Sequence, residues 1–208
     1  LIHGNVGSGQ SFTDSSLSNH TVTTVGNATH STTQSKFSGG SMYFDGSGDW
    51  LQIADSADWN NGSDDFTWDA WIYPTSISDH LGIIHQGEAS GNQQCNTLNV
   101  YSTGGNQIRW LIRNTSGTLL DLQSGSGTLL LNAWSHVAAI RQGTYFKIYI
   151  NGVLQVTSSS IATAIEDLPH DMYVGNRYTV AANYEFVGYI DEARITKGVA
   201  LWTQNFTP

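Results

Sequence analysis

Two carboxylates, Asp191 and Glu192, stand side by side in GYIDEARIT (residues 188–196), a stretch whose other residues are those of a β-strand. A carboxylate inside a strand costs stability unless it faces water, pairs with a cation or holds a metal. Adjacent strand residues point to opposite faces, so these two make no catalytic pair with each other. Asp65 and Asp69, which flank Thr67 in DFTWD, make none within their strand either. Retaining glycoside hydrolysis needs two carboxyl groups about 5–5.5 Å apart. None of Glu88, Glu166, Glu185 and Glu192 has an acidic partner two residues away on one strand face. The seven histidines are scattered without HxH or HExxH spacing, and no GxSxG elbow surrounds a serine. Hydrolysis is therefore the weakest function class, and a zinc centre is not expected.

Binding chemistry is better supplied. A glycan is held by an aromatic ring against the apolar side of a pyranose, with amides, carboxylates or arginines gripping hydroxyls at the rim. Trp59 lies in the polar stretch SADWNNGSDD, and Tyr184 lies between strands in TVAANYE. Exposed loop aromatics are hard to explain by packing alone, so both are expected to touch ligand. Tyr178 is a further aromatic candidate, Arg177 a local cation, and Gln93 and Asn96 of HQGEASGNQQCN are candidate amides. Turns rich in Asp, Asn and Gly also suit the oxygen ligands of calcium, although no EF-hand loop is present.

The elements that must carry these residues read as strands. The chain has 208 residues, 39% hydrophobic and 11% aromatic, enough for one large β-domain spanning 1–208. Phe66, Trp68, Ala70 and Ile72 alternate with Thr67, Asp69, Trp71 and Tyr73, and the first set is the expected core face. Phe146, Ile148 and Ile150 alternate likewise, and Asn151-Gly152 then supplies the two positive-φ positions of a type I′ hairpin turn. More than ten such segments, with no long helix, point to an all-β, two-sheet antiparallel sandwich.

Charge narrows the partners. The net charge of −9 disfavours nucleic acid and anionic membrane surfaces. The lone Cys95 allows no intrachain disulfide. The opening LIHGNVGSG lacks Met, a basic region or a long apolar run, and reads as a mature or excised piece of a longer polypeptide.

In order, YFDGSGDWLQI, DDFTWDAWIYP, NAWSHVAAIRQGTYFKIYINGV, YVGN and GYIDEARIT resemble the laminin-G-like, pentraxin-like branch of the concanavalin A-like lectin and glucanase superfamily. The flanks LIHGNVGSGQSFTDSS and ITKGVALWTQNFTP look like those of such domains in bacteriophage tail and virion proteins. The resemblance implies a jelly-roll sandwich, carried as a non-catalytic module on a virion or another extracellular surface and binding glycans. The alternative is a structural or decorating module that binds protein neighbours in a tail or capsid. The resemblance further implies a structural Ca2+ at Asp191, held together with Asn5 or Asp14 or with carbonyls of the HGNVGSG turn. Glu192 is expected to pair with Arg194, two residues along the same strand face.

Overall fold

A computed structural model describes residues 1–4, 9–37, 39–77, 80–87, 94–103, 105–177 and 184–208. Its strands form two antiparallel sheets of seven. The first sheet runs in the order β1 (Val22–Val25), β4 (Trp50–Ile53), β13 (Met172–Val174), β6 (His80–Gly87), β7 (Cys95–Tyr101), β8 (Gln107–Asn114) and β9 (Gly117–Gln123). The second runs β12 (Val153–Thr157), β11 (Tyr145–Ile150), β10 (Ser135–Gln142), β5 (Phe66–Pro74), β14 (Val187–Lys197), β3 (Ser41–Asp45) and β2 (Thr29–Ser31). The helical element among the described residues is a 3-10 turn at Ala57–Trp59.

Alternation decides which faces meet. Phe66, Trp68, Ala70 and Ile72 of β5 are fully buried between the sheets, with Phe146 and Ile148 of β11 from the same sheet and Leu98, Trp110 and Ile112 of the first sheet. The outer face of β5 is buried as well, which alternation does not foretell. The C-terminal segment lies across the second sheet, where Ala200, Trp202 and Phe206 pack on Ala138, Ile140 and Tyr149. Thr67 fastens it: its Oγ1 donates to Val199 O at 3.0 Å and accepts from Leu201 N at 3.0 Å. Asn151 (φ 50°) and Gly152 (φ 75°) make the positive-φ hairpin turn that their dipeptide predicts. Gly152 has a second reason to lack a side chain, because a Cβ there would lie 1.8 Å from Phe206 O.

The register of β14 shifts between Asp191 and Arg194, so Glu192 and Ala193 together stand opposite Ala70. This is a β-bulge, and Glu192 adopts φ 53° to make it. Both Asp191, opposite Trp71, and Arg194, opposite Asp69, are thereby placed on the outer face. Ala193 turns into the core. The N-terminal residues pin the bulge, with Ile2 N donating to Ala193 O at 2.9 Å and Ala193 N to Ile2 O at 3.1 Å.

Candidate functional site

The outer face of the first sheet gathers polar and aromatic side chains in register. One row crosses it through Gln52, Tyr173, His85, Thr97, Leu111 and Asp121, and the next holds Asn99, Arg109 and Gln123. Gly82 of β6 faces the same way, and the chain after β13 lies directly on it. A Cβ at Gly82 would meet Asn176 C at 2.2 Å and Arg177 N at 2.4 Å. Gly82 N donates to Tyr184 O at 2.9 Å. The crossing delivers Arg177 and Tyr184 to the face, where the guanidinium sits 5.6 Å from the ring centroid. His80 links this corner to β7, its ring 6.0 Å from Tyr184 and 4.6 Å from Tyr101.

Arg109 covers the Tyr101 ring at 4.9 Å and grips Asp121 with two hydrogen bonds, Nε to Oδ1 at 2.7 Å and a terminal nitrogen to Oδ2 at 2.6 Å. Those bonds hold the Asp121 carboxyl below its usual range and push the Arg109 guanidinium up. Beneath them His85 is wholly buried and contacts Thr97 Oγ1 through Nδ1 at 2.6 Å. Burial, reinforced by the charge of Arg177, lowers its pKa to about 3, so the imidazole is neutral. The face thus combines stacking rings with a fixed fork of donors and acceptors, the two elements that grip a sugar ring and its hydroxyls.

Of the residues expected to touch ligand, Arg177 and Tyr184 come together here, while Tyr178 and Gln93 lie outside the described residues. Asn96 does not belong to the site: it points between the sheets, where its Oδ1 accepts from Trp110 Nε1 at 2.7 Å. Trp59 is not an exposed loop aromatic. It is 8% exposed and packs in the core, because the Ser56-capped 3-10 turn rotates it inward beside His20, their rings 4.7 Å apart. His80, Arg109 and Asp121 were not foreseen. Their signal was alternation, since Arg109 shares a strand face with Leu111 and Arg113 and, through register, with Asn99 and Asp121.

The opening carboxylates resolve separately. Asp191 is fully buried on the outer face of the second sheet, with Oδ1 accepting from Gly4 N at 3.3 Å and Glu192 N at 3.0 Å. Its Oδ2 is buried and has no partner among the described residues. Burial, together with the nearby Glu192 charge, raises its pKa against the pull of those two N–H groups. A buried, orphaned carboxylate oxygen beside Gly4 is a hard donor of the kind calcium takes, so Asp191 fits the ion. Asn5 lies outside the described residues.

Asp14 does not fit, because its oxygens already accept from Leu1 N, Ser16 N, Ser16 Oγ and His20 N at 2.6–3.0 Å. Burial opposes the charge on Asp14, but these bonds outweigh it and hold the carboxyl far below its usual range. Glu192 does not pair with Arg194. The bulge sends it to His3, Oε1 to Nδ1 at 2.6 Å, while Arg194 grips Asp69 through two bonds of 3.0 and 2.9 Å. Among the described residues no three His, Cys, Asp or Glu side chains converge on one point.

A family model described as the concanavalin A-like lectin/glucanases superfamily matches residues 45–204. The chain belongs to that superfamily. Its two seven-stranded antiparallel sheets, with the bulged strand β14 beside β5, are therefore this superfamily's sandwich. A comparison with curated proteins finds no match.

Among solved structures, the superfamily member here is similar to domain 4 of AbnA, a GH43 extracellular arabinanase from Geobacillus stearothermophilus, in complex with arabinotriose. The identity is 18%, the TM-score 0.63, and 86% of this chain covers 82% of that one. The binding domain of Paraclostridial Mosquitocidal Protein 1 is similar at 16% identity and TM-score 0.70, with 97% of this chain covering 48% of that one. The Ruminococcus gnavus IT-sialidase CBM40 bound to α2,3-sialyllactose is similar at 16% identity and TM-score 0.56, covering 74% and 91% of the two chains. At such identities the likeness is one of fold.

Proposed function

We propose that this domain is a non-catalytic glycan-binding module, displayed on a virion or another extracellular surface, and that the outer face of its first sheet meets the sugar. The observation that carries this reading is the convergence of the Tyr101, His80 and Tyr184 rings with the Arg109–Asp121 fork on one face. Asp121 is held ionised, which suits it to accept hydroxyl hydrogen bonds rather than to deliver a proton to a leaving group. Two similar structures hold arabinotriose and sialyllactose as bound ligands, which supports sugars as the ligand class.

The test is a glycan array followed by affinity electrophoresis in polysaccharide gels. Retention without release of reducing ends is the expected result. Tyr101→Ala should weaken retention several-fold, for a stacking loss of about 1 kcal/mol, without changing the far-ultraviolet dichroism. The second reading, a decorating module bound to protein neighbours, draws support from the exposed Leu130 and Leu131. Silence across the array together with tight binding to a neighbouring virion protein would select it, and sugar product from any substrate would overturn both.

Calcium at Asp191 belongs to the same proposal, as a brace between β14 and the N-terminal segment rather than a reactive centre. At about 100 times its Kd the ion should add about 2.7 kcal/mol to stability. The expected result is a higher melting temperature in calcium than in chelator, with the difference absent in Asp191→Asn. Identical melting curves for the unaltered protein in both buffers would rule out the ion at Asp191.

A further inference from the structure

The outer face of the second sheet is covered for only part of its length. Thr67 lies under the C-terminal segment, and further along β5 Trp71 lies under Lys36 and Phe37, with Lys36 Nζ 3.8 Å from the ring centroid. The row beyond Trp71 consists of rings. Tyr43 of β3 pairs with Tyr189 of β14, and Tyr189 with Tyr73 of β5. Trp134 precedes β10, whose Ser135 pairs with Ile72, so its ring follows Tyr73 in the same row. Successive ring centroids are 5.0, 5.8 and 5.5 Å apart. These side chains share the face of Trp71 and belong to neither buried cluster.

All four residues are only partly buried. The Tyr43, Tyr73 and Tyr189 hydroxyls and the Trp134 N–H make no hydrogen bond among the described residues, and none is sealed from water as Tyr149 Oη is. Burial, followed by the charges of Tyr189, Asp45 and Asp49, raises the pKa of Tyr43, so its hydroxyl stays protonated and able to donate. Cross-strand ring pairs stabilise a sheet through ring contact, which needs no polar tips. A contiguous row of large rings left partly in water forfeits part of the gain from burial and marks an interaction surface.

Geometry selects the ligand. Across four strands the row is roughly 14 Å long, which suits a chain rather than a compact molecule. Neighbouring rings are inclined by 42°, 80° and 60° and lie in contact, leaving no slots in which a proline or another side chain could seat. A protein partner needs about 800 Å2 on each side, and four rings of about 150–250 Å2 each, already partly covered, offer much less. On one side of the row Lys36 is held over Trp71, and on the other the exposed Asp45 is acidic, so with a net charge of −9 an anionic polymer gains nothing here. We propose that Tyr43, Tyr189, Tyr73 and Trp134 form a second sugar-binding surface, which takes a stretch of a neutral, soluble polysaccharide lying across the strands. Pyranose faces rest on the rings, and sugar hydroxyls bond to the phenols and the indole N–H. The row lacks a charged fork like Arg109–Asp121, so it is the weaker of the two surfaces. None of its residues belongs to the first sheet, so it stands or falls apart from that face.

Affinity electrophoresis tests this in gels cast with hydroxyethyl cellulose, glucomannan, arabinan or dextran. Tyr101→Ala is the starting protein, so that the remaining retention reports the row. At least one polymer should still retain it, and adding Tyr73→Leu or Tyr189→Leu should weaken that retention about fivefold or more. Leu keeps apolar bulk on the sheet, and Trp134→Leu, just outside β10, gives the same reading if either variant does not fold. Tyr189→Phe keeps the ring and should weaken retention less than Tyr189→Leu does. Tyr145→Leu, at a ring 47% exposed on β11, should change nothing. If the first sheet binds no sugar, Tyr101→Ala is retained as the parent is, and the row variants still release it. Failure of every polymer to retain Tyr101→Ala overturns the proposal. Retention that survives the Leu variants also overturns it, and a lower melting temperature alongside would leave the row as a brace between strands. Binding of poly-L-proline that is lost in the same variants, with no polymer retained, overturns it in favour of a peptide ligand.

Discussion

Arg141→Met is expected to lower the free energy of unfolding by about 3–5 kcal/mol, at the upper end of single-substitution effects. The Arg141 side chain is 1% exposed, yet its hydrogen-bond partners are backbone carbonyls: Gly62 O at 2.7 Å, Gly143 O at 3.0 Å and Thr163 O at 3.4 Å. One guanidinium thus ties the segment before β5, the β10–β11 turn and the chain leading to β13. Asp65 and Asp64 supply opposing charge at longer range, and burial still pulls the guanidinium below its usual pKa. Met keeps much of the stem's packing against Phe146 but removes the guanidinium bonds to three carbonyls, of which Gly62 O keeps its bond from Ile165 N at 2.8 Å, and each lost bond is worth about 1 kcal/mol or more when buried. Removing a buried charge returns part of its desolvation cost, which is why the expected loss is not larger. Lys, with one nitrogen, reaches fewer carbonyls and should recover only part of it. Urea unfolding of the three proteins measures this, and a loss below about 1 kcal/mol for Met would show that water replaces the lost donors.

How far the fold could be read in the sequence follows from which interactions are local. Alternation in DFTWDAWIYP and YFKIYING is local, so the inner faces and the Asn151-Gly152 turn were legible. The burial of Thr67, Asp69 and Trp71 was not, because their cover comes from distant segments: Val199 and Leu201 bond Thr67, Arg194 and His136 hold Asp69, and Lys36 and Phe37 lie against Trp71. Glu192 misled for a related reason. Its side-chain direction is set by the β14 bulge, which Ile2 bridges at Ala193 from far away in the sequence. Trp59 looked exposed because its neighbours are polar, but one ring among polar residues is also what a capped turn needs to anchor itself, and Asn61 Nδ2 closes that turn on Trp59 O at 3.0 Å. The Arg109–Asp121 fork depends on the pairing of β8 with β9, so alternation names the face but not the partner.

Gly82→Ala is expected to reduce sugar retention by more than about tenfold while leaving the sandwich folded. The backbone of Gly82 does not lie in the left-handed region, so alanine meets no conformational penalty there and the effect is one of space. Its Cβ would fall 2.2 Å from Asn176 C and 2.4 Å from Arg177 N, and backbone atoms cannot evade a clash by turning a side chain. The crossing segment must lift, which breaks the bond from Gly82 N to Tyr184 O and carries Arg177 and Tyr184 away from His80 and Tyr101. Overpacking of this kind costs about 1–3 kcal/mol, so the melting temperature should fall by several degrees without loss of β-sheet dichroism. Gly125→Ala is the matched control, because the added methyl there meets only Thr128 Cγ2 at 3.5 Å, and it should change neither quantity. A Gly82→Ala protein that melts lower yet retains sugar as before would move the ligand face off the first sheet. One that both melts and binds as the parent would show that the crossing segment does not rest on β6.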